Sequence, residues 1–149
     1  PMEKRTVLIA DDNVDPVELM RRSLDACHRD VHCQHVADGP AVMDYVLGRG
    51  LYRQRHRHPF PDLLLLDLHL PGLNGLEVLK RIKTRPDLRV LPVLLLTSSS
   101  AEEDMEKAYR RHANGYLIKP SDYEEFSRLV RDVCRYWLQR NRQPTQLRE

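Results

Sequence analysis

Hydrophobic residues in this chain gather into short continuous runs instead of alternating with polar residues. Four strong runs cover residues 7–10, 63–66, 93–96 and 116–118, and a weaker candidate covers 33–37. A strand that is buried on both faces has this composition, and such strands belong to parallel sheets covered by helices. The pattern therefore predicts five strands of a buried parallel sheet.

The segments between the runs carry helix start and stop signals. Asp15 is followed by a proline and, three positions later, by a glutamate, which indicates an acidic cap with proline at the first helical position. Ser100 and Ser121 open capping boxes, and Asn74 opens a similar one. The Asn-Gly pair at residues 114–115 indicates a helix C-terminus. Helices are thus predicted between successive strands.

The last predicted helix carries the longest apolar stripe. Its apolar residues recur at helical intervals, namely Phe126, Leu129, Val130, Val133, Cys134, Trp137 and Leu138. The order of strand and helix, repeated five times, predicts an α/β domain of three layers. We expect a single domain over residues 1–149, with its core at about 5–138, a polar tail at 141–149 that is mobile unless a partner holds it, and no output domain.

Composition excludes several classes of protein. The 149 residues include 24 basic and 22 acidic ones, and the net charge of +2 (24 − 22) gives no general attraction for nucleic acid or acidic lipid. With 41% hydrophobic and 31% charged residues, the chain is not intrinsically disordered. No apolar run approaches the ~18 residues of a membrane span, and no secretory signal is present. We expect a cytoplasmic protein without membrane association.

The three cysteines form no recognisable framework. Cys27, Cys33 and Cys134 are odd in number and include no C-x-x-C pair, which disfavours a disulfide scaffold and a zinc ribbon. We interpret them as small apolar groups buried in a protein of the reducing cytoplasm.

Polar residues suited to one chemistry follow the predicted strands. The first strand ends in Asp11 and Asp12, the third in Asp67, the fourth in Thr97 and the fifth in Lys119. Ligand sites of such sheets lie outside the carboxyl ends of the strands. Clustered carboxylates require a cation, for which Mg²⁺ is suited, while the amine and hydroxyl favour phosphoryl oxygens and a carboxylate can attack phosphorus. Each aspartate alone is explained as a cap residue, but the complete set is not.

Four stretches carry a resemblance to a known family. Residues 7–13, 65–75, 96–98 and 116–120 are similar to the motifs of the receiver domain of two-component response regulators, and the similarity extends over about 5–138. The resemblance implies a flavodoxin-like (βα)5 doubly wound parallel sheet with strand order 2-1-3-4-5. It also implies a phosphoacceptor signalling protein, not an enzyme, that assists its own phosphorylation and dephosphorylation.

The resemblance implies roles for individual residues. Asp67 would accept the phosphoryl group and bind Mg²⁺, Asp12 would bind the metal directly, and Asp11 would bind it through water. The backbone carbonyl of His69 would complete the protein ligands. His69 also occupies a position that tunes dephosphorylation, and Ser99 stands where some members have an acid. These two departures leave the lifetime of the phosphoryl group open.

The same resemblance implies a conformational switch. Thr97 would hydrogen bond to the phosphoryl group and Lys119 would pair with it, aimed inward by a cis peptide bond to Pro120. Tyr116 occupies the position of an aromatic residue that turns inward when Thr97 moves, although an ordinary core tyrosine is the alternative. Phosphorylation would then shift a pre-existing two-state equilibrium.

Two features resemble the small regulators of phytochrome-type histidine kinases. They are the insertion at residues 47–61 and the final helix, which continues through 136–138 into the tail. The resemblance implies a phytochrome-type kinase as phosphodonor and a homodimer formed by the fourth helix, fifth strand and fifth helix. The candidate dimer residues are Met105, Tyr109, Arg128, Arg131, Arg135 and Trp137. For Trp137 the end of the core stripe is the alternative.

The insertion contains four arginines and an aromatic residue, which raises the alternative of a nucleic-acid patch. They are Arg49, Arg53, Arg55, Arg57 and Tyr52. A solvated loop is favoured, because opposite charges elsewhere cancel the basic ones and no helix-turn-helix follows.

Two other functions compete with phosphoryl signalling. A phosphatase with an aspartyl nucleophile would carry that nucleophile and a second aspartate two residues apart after the first strand, where this chain has adjacent aspartates. A degenerate receiver that no longer accepts phosphate is the other alternative. The complete set of Asp12, Asp67, Thr97 and Lys119 speaks against it.

Overall fold

Five parallel strands form the centre of the molecule, and helices cover both faces of the sheet. The computed structural model describes residues 4–27 and 30–144. The strands are β1 (Arg5–Ala10), β2 (Val31–Val36), β3 (Leu63–Leu66), β4 (Val93–Thr97) and β5 (Gly115–Ile118). The helices are α1 (Val14–Cys27), α2 (Gly39–Leu47), α3 (Gly75–Lys83), α4 (Glu102–Arg110) and α5 (Tyr123–Cys134). The strand order β2-β1-β3-β4-β5 confirms the predicted topology.

Each strand contributes side chains to two separate hydrophobic cores. Leu64 and Leu66 of β3 lie in the core beneath α2 and α3, whereas Leu63 and Leu65 lie in the core beneath α1 and α5. Successive side chains of a strand point to opposite faces, so a strand covered on both sides must be apolar at every position. All four are buried, and each contributes about 1.5–3 kcal/mol to folding.

The helix starts differ from the predicted caps by a residue or two. The Asn74 side chain accepts a hydrogen bond from the backbone N–H of Glu77, as predicted. In contrast, α5 is capped by Asp122 instead of Ser121, and Ala101 precedes α4 with no side-chain cap bond. Helix α1 begins at Val14, where Asn13 accepts from the N–H of Asp15 at 3.1 Å. Neighbouring short polar residues can all cap a helix, and packing decides which one does.

The predicted helix stop at residues 114–115 is wrong for a specific reason. Helix α4 ends at Arg110, and His112 is the residue with positive φ, at 68°. Asn114 instead fixes the start of β5, since its backbone N–H donates to the carbonyl of Val93 at 2.8 Å. Its side-chain oxygen accepts from the N–H of the same Val93 at 2.9 Å.

Helix α5 continues past Cys134 as a π-helical turn, Arg135–Arg140. The described part of the tail is held to the body, because the Gln143 side-chain amide donates to the carbonyl of Asp62 at 3.3 Å. Residues 145–149 of the predicted tail lie outside the described residues. No helix in residues 4–27 and 30–144 is long and apolar enough to cross a membrane.

The prediction that all three cysteines are buried is wrong for two of them. Cys134 of α5 is buried, but Cys27 at the end of α1 and Cys33 on β2 are partly exposed. Strand β2 is an edge strand of the sheet, which leaves its residues less covered than those of β1. All three are free thiols.

Candidate functional site

Three carboxylates converge at the carboxyl edge of the sheet. The residue pair Ala10 and Leu66 is in register between β1 and β3, so the residues that follow them emerge side by side. Asp11, Asp12 and Asp67 each place a carboxylate oxygen within 4.8 Å of the others, and Asp11 and Asp67 are buried. Among the described residues, this is the group whose geometry could hold a metal ion.

Lys119 joins two of these carboxylates. Its Nζ donates to Asp11 Oδ2 at 2.6 Å and to Asp67 Oδ2 at 3.0 Å. Burial alone would lower the pKa of the Lys119 amine, but the hydrogen bond and charge of Asp11 and the charge of Asp67 outweigh burial and raise this pKa. The lysine is therefore held as the ammonium ion.

The expected cis peptide bond between Lys119 and Pro120 is not found, and the bond is trans. The trans form is favoured for X–Pro bonds by about 0.5–1 kcal/mol. From this backbone the Lys119 amine already reaches Asp11 and Asp67, so no cis bond is needed to aim it.

Backbone N–H groups orient the two buried carboxylates, and an imidazole contacts the backbone of Asp11. Asp11 Oδ1 accepts from the N–H of Asn13 at 2.9 Å, and the carbonyl of Asp11 is 2.7 Å from His35 Nε2. Asp67 Oδ1 accepts from the N–H of His69 at 3.3 Å, and the His69 side chain is exposed. The two buried carboxylates thus have fixed directions.

A glycine lets the Asp67 backbone lie directly against α3. A Cβ added at Gly75 would lie 2.2 Å from the Asp67 carbonyl oxygen and 2.8 Å from Leu68 Cα. The N–H of Gly75 donates to the carbonyl of Leu68 at 2.8 Å. The sequence motif contained Gly75, but only the packing shows that it positions Asp67.

Thr97 and Tyr116 are connected through Ser99. Thr97 is fully buried, and its Oγ1 accepts from the N–H of Ser99 at 3.3 Å. The Tyr116 hydroxyl donates to the Ser99 carbonyl at 3.0 Å, and the Ser99 hydroxyl hydrogen bonds to Asp104 Oδ2 at 2.6 Å. Burial raises the pKa of Tyr116, partly offset by the bond to Ser99. Ser99 therefore links the end of β4 to β5 and to α4, a role that sequence reasoning missed.

The arginines of the insertion are not one free basic patch. Arg55 donates to the carbonyls of Tyr45 at 2.7 Å, Val46 at 2.8 Å and His58 at 2.9 Å. Its guanidinium also lies over the Tyr45 ring, 5.9 Å from the centroid. Arg55 thus closes the C-terminal end of α2 instead of facing solvent with the other arginines.

The dimer candidates on α5 and its extension differ in their surroundings. The carbonyl of Arg131 accepts from the Cys27 thiol at 3.9 Å, which places this part of α5 against α1. A groove of about 240 Å³ along β5 is lined by residues that include Leu129, Tyr136 and Trp137. Arg128 and Arg135 are exposed. Of the α5 candidates, Trp137 alone borders the groove.

Comparison with known proteins identifies the family to which the chain belongs. The profile of the response regulator receiver domain matches residues 7–131. This chain belongs to the response regulator receiver family. The flavodoxin-like receiver fold expected from the sequence is thereby confirmed.

Relatives of this receiver include phytochrome response regulators, as the sequence predicted. Response regulator Rcp1 of Synechocystis sp. is 33% identical over 135 residues, which cover 91% of this chain and 90% of that protein. The crystal structure of the Mn²⁺-bound form of Rcp1 superposes with a TM-score of 0.87 over 95% of this chain and 99% of that chain. The phosphorylated cyanobacterial phytochrome response regulator RcpA gives a TM-score of 0.90 at 30% identity, with 95% and 99% covered.

Another relative of this receiver carries a name that refers to a different process. The probable methanogenesis regulatory protein FilR2 of Methanothrix harundinacea is 37% identical over 139 residues, which cover 93% of this chain and 86% of that protein.

Proposed function

We propose that this receiver accepts a phosphoryl group from a histidine kinase onto Asp67 and signals by a change of conformation. The observation that carries the proposal is the contact of Lys119 with both Asp11 and Asp67, within a cluster of three carboxylates. An ammonium beside a carboxylate nucleophile is placed to hold the oxygens of an incoming phosphoryl group.

The charge of the cluster supports a divalent metal. Three carboxylates and one ammonium sum to −2 (−3 + 1). Carboxylate oxygens are the ligands that Mg²⁺ prefers, and it keeps several waters beside them. We infer that Asp12, Asp67 and the His69 carbonyl bind Mg²⁺ directly, with Asp11 acting through water. Bound there, Mg²⁺ would supply positive charge for the transferring phosphoryl oxygens.

The transfer itself needs little from the protein except position and charge. An Asp67 carboxylate oxygen attacks phosphorus, the P–N bond of a kinase phosphohistidine breaks, and the leaving imidazole takes up a proton. Lys119 would then exchange its contact with Asp67 for a phosphoryl oxygen. The backbone N–H of His69 already donates to Asp67 and keeps the carboxylate oriented.

The switch would run through Ser99. A phosphoryl group on Asp67 offers the Thr97 hydroxyl a new acceptor, and movement of Thr97 loosens its 3.3 Å bond with the N–H of Ser99. Because Ser99 also hydrogen bonds to the Tyr116 hydroxyl and to Asp104, the movement of Thr97 would be transmitted to β5 and α4. Tyr116 is in this scheme the aromatic group that changes position.

Intact mass spectrometry tests the phosphoryl chemistry. We expect one phosphoryl adduct after incubation with Mg²⁺ and phosphoramidate, lost when a chelator removes the metal or when Asp67→Asn removes the nucleophile. Asp87→Asn, which changes an exposed aspartate paired with Arg85, should keep the adduct. A folded wild-type chain without adduct under these conditions, and with none from a kinase, would contradict the proposal and favour a phosphate-independent binding module.

We further propose that a phytochrome-type histidine kinase is the phosphodonor and that both proteins act in the cytoplasm. The support is the resemblance to Rcp1 and RcpA. The resemblance to FilR2 supports the alternative of a histidine kinase that is not of the phytochrome type. Phosphoryl transfer from a ³²P-labelled phytochrome-type kinase should reach this receiver at a higher rate than transfer from an unrelated histidine kinase. Equal rates would contradict the phytochrome assignment.

Lastly, we propose a homodimer through α4, β5 and α5. Strand β5 is an edge of the sheet, and Tyr109, Ile118 and Tyr136 are exposed by 56%, 44% and 56%. The first turn of α4 carries three acidic residues, and Arg128 and Arg135 are exposed on α5. In a twofold dimer the acidic helix of one protomer can face the basic helix of its partner, so the surface is complementary to itself.

A further inference from the structure

The C-terminal ends of α1 and α5 bring two thiols together far from the carboxylate site. Cys27, the last residue of α1, contacts α5 twice: its thiol donates to the carbonyl of Arg131 at 3.9 Å and its sulfur accepts from the Gln139 amide at 3.8 Å. Arg131 and Gln139 stand on either side of Cys134 along α5 and its extension. Cys134 therefore lies between the two contacts of Cys27 along α5 and its extension, and Cys27 packs against the hydrophobic core that contains Cys134.

Packing around the pair keeps this alignment. Ser23 lies one turn before Cys27 in α1 and Ser127 lies two turns before Cys134 in α5, and their hydroxyls are 2.9 Å apart across the α1–α5 contact. The two helices are thus held side by side before the thiols by the serine pair and after Cys134 by the contact of Gln139 with Cys27. Cys27 is partly exposed whereas Cys134 is buried, so an oxidant from solvent reaches Cys27 first.

We propose that Cys27 and Cys134 form an intramolecular disulfide when the receiver is exposed to hydrogen peroxide, which makes the α1–α5 contact a site of oxidative modification. The Cys27 thiolate attacks a peroxide oxygen, the O–O bond breaks, and the hydroxide that leaves takes a proton to become water. The resulting sulfenic acid on Cys27 is attacked by the Cys134 sulfur. The S–O bond breaks as the S–S bond forms, and the hydroxyl leaves as water with the Cys134 proton. Two thiols are oxidised and one peroxide is reduced to two waters.

Two further observations shape this chemistry. Burial, and then the neighbouring Cys27, raises the pKa of Cys134, so that this sulfur is protonated as the thiol. Cys33 on β2 is the third thiol of the region, and burial raises the pKa of Cys33 to about 11. Among the described residues the three thiols do not form a group compact enough to hold a metal, which favours a disulfide over a metal site.

The thiol pair and the carboxylate site lie at opposite ends of α1. The helix has 14 residues, which extend roughly 20 Å at 1.5 Å per residue. Oxidation therefore leaves the phosphoryl chemistry in place and acts on the α1–α5 contact. A covalent link between the two helices is expected to raise the midpoint of thermal unfolding.

The test is alkylation of free thiols after peroxide treatment of the full chain. The wild type should change from three labelled cysteines to one, Cys33, with a peptide that joins Cys27 to Cys134 and loses the mass of two hydrogen atoms. The midpoint of unfolding should rise, and a reductant should reverse both changes. Cys33→Ser should behave as wild type, and Cys27→Ser should lose the disulfide.

Two further variants separate loss of chemistry from loss of fold. Cys134→Ser and the less polar Cys134→Ala should keep the circular dichroism of the reduced wild type yet fail to form the link. Three labelled thiols in peroxide-treated wild type, a disulfide that includes Cys33, or a disulfide between two chains would each overturn the proposal.

Discussion

Lys83 is a partly buried lysine whose three hydrogen-bond acceptors are all neutral. Its Nζ donates to the carbonyls of Arg89 at 3.0 Å and Leu91 at 2.7 Å and to Asn114 Oδ1 at 2.9 Å. Lys119, which is also partly buried, has carboxylates as partners and a raised pKa. Burial without such a partner lowers the pKa of Lys83 to about 8. The charge of the hydrogen-bond partners, more than the degree of burial, explains why the pKa of Lys83 is lowered and that of Lys119 is raised.

A pH dependence of stability follows for Lys83. Below pH 8 both states carry the proton, whereas between pH 8 and the ordinary pKa of 10.5 the unfolded chain binds more protons. The free energy of unfolding should therefore rise with pH in this window, by about 1–2 kcal/mol after allowance for solvent screening. Urea unfolding at several pH values measures it. Lys83→Met should remove this part of the rise and the exposed Lys80→Met should not; equal curves for all three proteins would refute the assignment.

Gly75 is the residue whose substitution should damage the site through the backbone alone. An alanine Cβ would lie 2.2 Å from the Asp67 carbonyl oxygen, so Asp67 must move. We expect Gly75→Ala to cost about 1–3 kcal/mol of stability and to weaken Mg²⁺ binding measured by calorimetry. Gly50→Ala is the matched control, since Gly50 has a φ of 60° but open space around it. It should cost about 1–2 kcal/mol and leave Mg²⁺ binding unchanged. Unchanged Mg²⁺ binding in Gly75→Ala would contradict the positioning role.

At the scale of elements, the end of α2 depends on one arginine of the insertion. Arg55→Met should leave the carbonyl of Val46 without its donor and the carbonyl of Tyr45 with only the N–H of Gly48, and should cost about 1–3 kcal/mol in chemical denaturation. Arg53→Met should cost less than about 0.5 kcal/mol, because the single bond of Arg53 to Gly50 is exposed and long at 3.3 Å. If both variants lost the same stability, the cap would not be specific to Arg55.

The start of α4 offers a direct comparison of two adjacent serines. The sequence pattern favoured Ser100 as the cap, but the Ser99 hydroxyl accepts from the N–H of Ala101 and contacts Asp104 at 2.6 Å. Ser99→Ala should therefore lower stability by about 1 kcal/mol and speed amide hydrogen exchange in α4, and the exposed Ser100→Ala should do neither. The opposite ranking would restore the sequence-based cap.

These elements show where sequence reasoning succeeds and where it stops. The run Leu63–Leu66 correctly predicts β3, because a strand that is buried on both faces must be apolar at every position. The three carboxylates and Lys119 could then be placed together, because residues that follow parallel strands meet at the same edge of the sheet. Ser99 and Arg55 escape such reasoning, because each acts through bonds to carbonyls that no residue pattern records. The trans bond before Pro120 departs from what the family resemblance implied, and no residue pattern in the sequence signals it.

At the scale of the whole molecule, the two proposals occupy different ends of the sheet. The carboxylates lie at the carboxyl edge with the start of α1, and the thiols lie at the far end of the same helix. Asp67→Asn should therefore leave disulfide formation intact, and Cys27→Ser should leave the phosphoryl adduct intact. The failure of one proposal can be distinguished from the failure of the other.

The proposed dimer depends on the pairing of acidic and basic helices, and charge reversal tests it. Sedimentation velocity should show a weaker dimer for Arg135→Glu, because its partner's acidic α4 then meets a like charge. Adding Glu103→Arg to the same chain should restore the dimer, whereas Arg22→Glu on the exposed side of α1 should leave it unchanged. The affinity should also fall as salt rises, since the pairs are exposed. A dimer whose affinity changes neither with the charge reversal nor with salt would place the interface elsewhere. A protein that is monomeric at every concentration would contradict the proposed dimer.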